Sequence, residues 1–209
     1  MVSDKFMVNS DAGRMAAARY ATENFAWQMK LDKRDALRLN LLVEETLGMI
    51  KAMVEDFYGQ LWFASDGKRC EIHLEATTLM DAGKKQELLS VSRTGKNALA
   101  KGFMAMLGEV FSGALHGFGN MMDAYGQETM RYGVVQTPGI NMINPDGLVP
   151  VWTLQSYRDG LMKDRDADGE ASEAWDELEK SIVARLADDV VVGVKGDRIE
   201  LVIAKDFHG

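Results

Sequence analysis

Residues 37–50 read LRLNLLVEETLGMI, and this stretch decides the fold. Apolar side chains recur in it every three to four positions, which is the period of an amphipathic α-helix. The residues in question are Leu37, Leu41, Val43, Leu47 and Ile50. The same period continues to Val54, and it follows a short polar break, LDKRD, at residues 31–35. The pattern predicts a helix over residues 33–55.

A strand and a first helix are predicted ahead of this stretch. KFMVN at residues 5–9 alternates apolar and polar side chains, which is typical of a short edge strand. Ser10 or Asp11 is suited to cap a helix, and the apolar residues that follow have helical spacing. We therefore predict an amphipathic helix over residues 11–30.

Two hairpins are predicted after the central helix and at the end of the chain. YGQLWFAS (58–65) and CEIHLEAT (70–77) flank the dipeptide Asp66-Gly67, which favours a tight type I′ turn. In the second strand, period-two alternation places Glu71, His73 and Glu75 on the face opposite the apolar residues. DDVVVGVKGDRIELVIAKDF (188–207) predicts a second hairpin, with two β-branched runs about a Gly-Asp turn.

The middle of the chain follows a different pattern. Residues 96–127 are rich in Met and Gly at helical spacing, and residues 133–150 hold all three prolines and predict an irregular connection with one strand. Ser172 is suited to cap a helix that carries Trp175, Leu178, Ile182 and Leu186. We predict one α+β domain over residues 1–209, with a Met/Gly-rich helical insertion at about 81–160. Its expected architecture is a two-layer sandwich, a mostly antiparallel sheet with helices on one face.

Composition excludes several classes of function. A formal net charge of −8 argues against a nucleic-acid binder, because such proteins present basic surfaces. Glu109, His116 and Asn120 interrupt the apolar stretch 102–122, so we expect no membrane span. Cys70 is the only cysteine, and the first residues lack a signal-peptide pattern, so a cytoplasmic location is expected. The three histidines are too scattered to predict a metal site.

The central helix, together with the order of the elements around it, resembles the histidine-kinase-like (GHKL) ATPases, particularly the small bacterial anti-sigma factor serine kinases. In that branch the first motif helix reads approximately L-x-L-A-V-x-E-A-x-x-N. The matching positions in this chain are Leu39, Leu41, Val43 and Glu45. The resemblance covers about residues 5–80 and 173–207. It implies the histidine-kinase-like ATPase fold, and it also implies a homodimer.

The resemblance assigns roles to residues of the central helix. It implies that Glu45 is the catalytic acid, which activates the attacking hydroxyl or water. In the family, an asparagine four residues later binds the Mg²⁺ of the nucleotide, and here that position is Met49, a thioether unsuited to Mg²⁺. Taking Glu44 as the acid instead gives Gly48. Neither alignment restores the amide.

Two further nucleotide motifs of the family also depart from the pattern. Thr77 stands nearest the position of the family's adenine-binding aspartate. Gly95, Lys96 and Asn97 form the one candidate for the phosphate-binding helix start, without the usual paired glycines. The predicted nucleotide site therefore consists of Glu44, Met49, Thr77, Gly95, Lys96 and Asn97 beside Glu45. Binding of ATP and Mg²⁺ is expected to be weak or absent.

Three functions are open at this point. The preferred hypothesis is a degenerate GHKL regulatory protein that binds a protein partner in the manner of an anti-sigma factor. The second is an active ATP-dependent serine kinase that uses Glu45. The third is a binder of a small non-nucleotide ligand or a peptide, whose site is the Met/Gly-rich helical segment, because thioether side chains adapt to varied partners.

Overall fold

The computed structural model describes residues 1–54, 56–78, 134–138, 148–166, 169–195 and 198–207. These residues form runs of helices and runs of strands that do not alternate regularly, so the chain belongs to the α+β class. The strands are β1 (Phe6–Asn9), β2 (Phe57–Ser65), β3 (Arg69–Thr78), β4 (Val134–Pro138), β5 (Leu148–Thr153), β6 (Asp189–Lys195) and β7 (Arg198–Asp206). The helices are α1 (Ala12–Gln28), α2 (Lys33–Val54), α3 (Leu154–Asp164), α4 (Gly169–Lys180) and α5 (Ile182–Leu186).

The described strands form one seven-stranded sheet with the order β1-β2-β3-β7-β6-β5-β4. Every neighbouring pair is antiparallel. Strand β1 lies at one edge, as predicted. The closing hairpin β6–β7 lies in the interior of the sheet, because β7 pairs with β3 and β6 pairs with β5. The two predicted hairpins are thus joined into a single layer.

The core lies between one face of the sheet and the described helices. Leu61, Leu74 and Leu201 occupy successive positions across β2, β3 and β7, and all three are fully buried. They belong to a single apolar cluster that also contains side chains from each described helix, such as Phe25 and Tyr157. The described helices therefore lie on one face of the sheet, as predicted for an α+β fold. The opposite face, which points away from these described helices, is called the open face below.

The first two helices begin where the sequence predicts. The side chain of Asp11 accepts hydrogen bonds from the backbone N–H groups of Gly13 and Arg14, which satisfies donors that the first turn of α1 leaves unpaired. Asp32 plays the same role for α2, since its carboxylate accepts the N–H of Asp35 at 2.8 Å. These caps fix the short connection between the two helices.

The first hairpin is present, but the predicted type I′ turn is wrong. Three residues, 66–68, separate β2 from β3. A type I′ turn needs positive φ at two consecutive residues, whereas in this connection only Gly67 has a positive φ, of 104°. The carboxylate of Asp66 instead organises the turn, because it accepts the N–H groups of Lys68 and Arg69 at 2.9 Å each.

The segment predicted as a helical insertion contains strands where the structure describes it. Strands β4 and β5 both lie between residues 81 and 160, and they extend the sheet beyond β6. Their sequences, VVQTP and LVPVWT, are rich in β-branched residues, which suit a pleated surface. Helix α3 then begins directly after β5, where the hydroxyl of Thr153 accepts the N–H of Ser156. The rest of the segment lies outside the described residues.

The predicted single helix after Ser172 is in fact two helices. Helix α4 begins at Gly169, so Ser172 lies within it, and Ser181 separates it from α5. Ser181 has extended backbone angles, and its hydroxyl accepts the N–H of Ala184 as a new N-cap. This break rotates the later residues, which explains why Ile182 remains 43% exposed although its spacing predicts a core position.

Candidate functional site

The residues of the predicted site on α2 lie at different depths. Glu44 and Glu45 are exposed, whereas Met49 is only 4% exposed and belongs to the apolar core cluster. Glu45 and Met49 are four residues apart and so lie near each other on the helix, but only Met49 is buried. Because its thioether lies in the core, burial of this side chain stabilises the fold by about 1.5–3 kcal/mol.

Glu44 takes part in contacts between the first two helices. Its carboxylate lies 3.9 Å from the Nε atom of Arg19 on α1, and Arg19 also contacts Glu23 at 3.1 Å. All three side chains are about half exposed or more, so solvent screens these pairs. Glu44 thus helps to set how α1 lies beside α2.

Thr77 lies on the other face of the sheet from α2. It is paired in register with Arg198 on β7, and it lines the open face together with Glu75. Since successive residues of a strand point to opposite faces, its neighbour Ala76, which is 5% exposed, lies on the face that the described helices cover. The sheet therefore separates Thr77 from Glu45 and Met49. Gly95, Lys96 and Asn97 lie outside the described residues.

The α2 residues can be tested against the chemistry of Mg²⁺ and ATP. Mg²⁺ takes oxygen ligands in octahedral geometry, and a buried thioether offers none. Within the part of the chain that the structure describes, no group of three or more His, Cys, Asp or Glu side chains is placed to hold a metal ion. The buried Met49 side chain therefore supplies no ligand for Mg²⁺, and the predicted phosphate-binding residues Gly95, Lys96 and Asn97 lie outside the described residues.

A second arrangement of functional side chains lies on the open face. There the sheet forms a groove of about 560 Å³. The residues that line it come from β1, β2, β3, β7 and the residue before β1, and they include Lys5, Met7, Tyr58, Gln60, Glu75, Thr77, Arg198 and Glu200. The groove therefore combines acidic, basic and aromatic side chains.

The deepest charged groups of the groove are two glutamates. Glu75 and Glu200 are register partners on β3 and β7, and they are 8% and 2% exposed. The ammonium of Lys5 lies 3.4 Å from a carboxylate oxygen of Glu75. Because a carboxylate is costly to bury without a partner, this ion pair is part of what allows Glu75 to lie in the sheet.

Lys5 also begins a row of stacked groups across the open face. Its ammonium lies 3.8 Å from the ring centroid of Trp62, and Trp62 stacks on His73 with centroids 4.9 Å apart and planes at 7°. The Nε2 atom of His73 is 3.2 Å from a carboxylate oxygen of Glu71. Burial lowers the pKa of His73 below its usual value, although the nearby Glu71 acts in the opposite direction.

The sequence contained part of the signal for this open-face arrangement. Alternation placed Glu71, His73 and Glu75 on one face of a strand, and this placement is confirmed by the register. The partners Lys5 and Glu200 were missed as functional residues, because they lie 70 and 125 residues from Glu75 in the chain and only the sheet order brings them to it. Among the charged side chains of this face, Lys5 contacts Glu75, and Glu71 contacts Arg69 and His73.

No protein-family model, curated protein or solved structure matches this chain. In the described part of the chain, none of the helices combines the length and the apolar character needed to cross a membrane.

Proposed function

We propose that this protein is a GHKL-like scaffold that has lost efficient Mg·ATP chemistry and acts as a regulatory module, binding a protein partner in the manner of an anti-sigma factor. The proposal does not require phosphoryl transfer. It assigns the first two helices a structural role and leaves the outer surface of the protein for recognition.

The order and placement of the elements support the scaffold part of the proposal. The chain runs through a strand, two helices and a hairpin, and ends in a further hairpin after α5. Helix α2 packs its apolar side against the sheet, and β7 of the closing hairpin pairs with β3. The element order and the position of α2 against the sheet support the proposal of a GHKL-like scaffold.

The burial of Met49 carries the regulatory part of the proposal. The resembled family needs an oxygen ligand for Mg²⁺ at this position, one helical turn after the acid. Here the side chain is 4% exposed and fills the core instead. Exchanging Met49 for a polar ligand would put an amide into an apolar site, which is unfavourable. The position therefore favours stability over metal binding.

Isothermal titration of the full chain with Mg·ATP tests the proposal. We expect no saturable heat at millimolar nucleotide. Mg·ADP and Mg²⁺ alone serve as matched titrants, so that metal binding by itself is distinguished from nucleotide binding. Saturable binding of Mg·ATP in the micromolar range would refute the claim that nucleotide chemistry has been lost.

The exposed carboxylate of Glu45 favours a second candidate, an active ATP-dependent serine kinase. An exposed acid on α2 is accessible to a substrate hydroxyl, as general-base catalysis requires. This candidate predicts phosphate transfer to a serine-containing partner protein, and loss of that transfer in Glu45→Gln. Transfer that survives in Glu45→Gln would exclude the role assigned to Glu45.

A further inference from the structure

Large apolar side chains protrude from the outer surface of the helical layer. Trp27 is 80% exposed, Tyr20 67% and Leu37 60%. Tyr20 and Trp27 are seven residues apart on α1, so they lie on the same side of that helix, about 10 Å apart along its axis. The buried residues of α1, such as Ala18 and Phe25, lie on its other side. Most exposed apolar side chains occur singly, and a row of this kind marks an interaction surface.

Leu37 extends the row onto α2. The 3.9 Å contact between Arg19 and Glu44 shows that these two residues lie at the same level of α1 and α2. Trp27 lies about 12 Å from Arg19 along the axis of α1, and Leu37 lies about 10 Å from Glu44 along the axis of α2, both in the direction of the connecting turn. The two side chains therefore lie at the same level of the helical hairpin, next to its turn.

Positive charge surrounds the turn end of this row. Lys30, Lys33 and Arg34 are all exposed, and none of them forms an ion pair with a described carboxylate. Two acids, Asp32 and Asp35, lie in the same stretch, where with Arg38 there are four cations, and Asp32 is itself exposed. Asp32 caps α2, and Asp35, 7% exposed, binds Arg38 at 2.8 Å. The surface is thus locally basic on a chain whose formal net charge is −8.

We propose that this surface, formed by Tyr20, Trp27, Lys30, Lys33, Arg34 and Leu37 and called the hairpin patch, docks an acidic amphipathic helix of a partner protein. The inference rests on the proposed function and names the chemistry of its partner. Apolar side chains of the partner helix pack against Trp27, Tyr20 and Leu37. Its flanking carboxylates meet the three cations. Tryptophan, tyrosine and arginine are the residues that contribute most at protein interfaces.

The distribution of charge along the hairpin patch favours a protein partner over a membrane. An anionic bilayer would meet Trp27 and the cations at one end, but at the other end it would meet the cluster of Arg19, Glu23 and Glu44, which carries one net negative charge. A peptide with acidic residues at one end only avoids this repulsion. The row is about as long as two turns of a helix, so a partner helix can contact it through its residues at positions i, i+3 and i+7.

Selection from a displayed library of 18-residue amphipathic helices tests the proposal on the full chain. The library varies both the apolar positions and the charge of the flanks. We expect enriched peptides to be acidic, with apolar residues at helical spacing. We also expect their affinity for the chain to fall as salt rises, because the charged contacts are exposed. Enrichment without acidic bias would overturn the proposal.

Variants of the chain locate the binding surface. Trp27→Ala should weaken binding of an enriched peptide by at least about tenfold, and Lys33→Glu with Arg34→Glu by at least as much. Met162→Ala, which removes another large exposed apolar side chain, and Lys51→Glu should bind as the wild type does. Unchanged binding in Trp27→Ala would refute the docking site. Thermal melting checks that each variant is folded.

Two further outcomes separate this inference from its alternatives. Binding of phosphatidylserine vesicles that is lost in Trp27→Ala would replace the protein partner with a membrane and overturn the proposal. If an acidic peptide binds the hairpin patch while Mg·ATP also binds the chain, the docking site stands and only the loss of nucleotide chemistry fails. If neither the peptide nor Mg·ATP binds, the docking site fails and the regulatory proposal remains.

Discussion

The ammonium of Lys5 lies 3.8 Å from the ring centroid of Trp62 and 3.4 Å from a carboxylate oxygen of Glu75, so one side chain at the edge of the sheet joins three strands. Lys5 precedes β1, Trp62 lies on β2 and Glu75 on β3. These side-chain contacts add to the four register pairs between β1 and β2 and to the burial of Val8, which also hold this short edge strand in the sheet.

Replacing Lys5 with methionine should lower the free energy of unfolding by about 1–2 kcal/mol. The change leaves the Glu75 carboxylate without its ammonium partner in a buried position. In the double variant with Glu75→Gln, the loss of unfolding free energy should be smaller than the sum of the two single losses by about 0.5–1 kcal/mol. We expect no larger coupling because Lys5 is about half exposed. Urea denaturation of the single and double variants measures the coupling, with Lys68→Met in an exposed turn as control. Strict additivity of the two changes would contradict the contact.

His73 should make the protein less stable as the pH falls below about 6.5. Burial holds the pKa of His73 below its value in the unfolded chain, so the unfolded state takes up the proton first. The groups that face the imidazole are Glu71 and Glu75, which raise its pKa, and Lys5, which lowers it. The contribution of neutral His73 to the free energy of unfolding is fully present above about pH 6.5. It is lost as the pH falls from there through the pKa that His73 has in the folded protein.

The measurement for His73 is the urea midpoint as a function of pH in the wild type and in His73→Gln. We expect the wild-type midpoint to fall between pH 6.5 and 5 by more than that of the variant. Parallel curves for the two proteins would show that His73 does not resist protonation in the folded state.

Arg158 should prove important for the contact between α3 and the end of α5. Its guanidinium donates hydrogen bonds to the backbone oxygens of Ala184 and, at 3.2 Å, of Asp188. Arg158→Met would leave these acceptors without their donor, so we expect a loss of about 2–4 kcal/mol in unfolding free energy. Arg185→Met, at an exposed position on α5, should cost no more than about 0.5 kcal/mol. Equal effects of the two changes would argue against this role.

Cys70 should react with thiol reagents only after the protein unfolds. It is 1% exposed, and burial raises the pKa of its thiol to about 12. The thiolate is the reactive form, so alkylation of the native protein should be at least about a thousandfold slower than in denaturant. Mass spectrometry after iodoacetamide treatment gives a clean result because the chain has one cysteine. Native labelling at the unfolded rate would mean that β3 is not in the core.

The sequence predicted those parts of the fold that depend on local pattern. Alternation assigned Ile72 and Leu74 to the core face, and Ser10 or Asp11 was predicted to cap α1; the first is confirmed, and Asp11 is the residue that caps the helix. A residue that interrupts a helix without disturbing the apolar spacing was harder to predict. Ser181 ends one helix and caps the next, and nothing in the apolar spacing distinguishes it from a residue within a continuous helix.

The candidate sites depend more strongly on long-range structure. The resemblance predicts one site that contains Glu45, Met49 and Thr77. The face on which Thr77 lies is set by the pleat of β3, because a shift of one residue in a strand moves a side chain to the other face of the sheet. The hairpin patch was not predicted, because helical spacing alone assigns Leu37 to the apolar side of α2, whereas this side chain is 60% exposed. Its exposure follows from which side of the helix meets the sheet.

The central claim, that α2 serves the core and not a nucleotide, is tested most directly by hydrogen–deuterium exchange of the full chain with and without millimolar Mg·ATP. Peptides that cover residues 37–50 report on α2, and peptides from residues 69–78 serve as the internal control, with Mg²⁺ alone as the matched addition. We predict the same exchange in both segments under all conditions. Nucleotide-dependent protection confined to residues 37–50 would contradict the account.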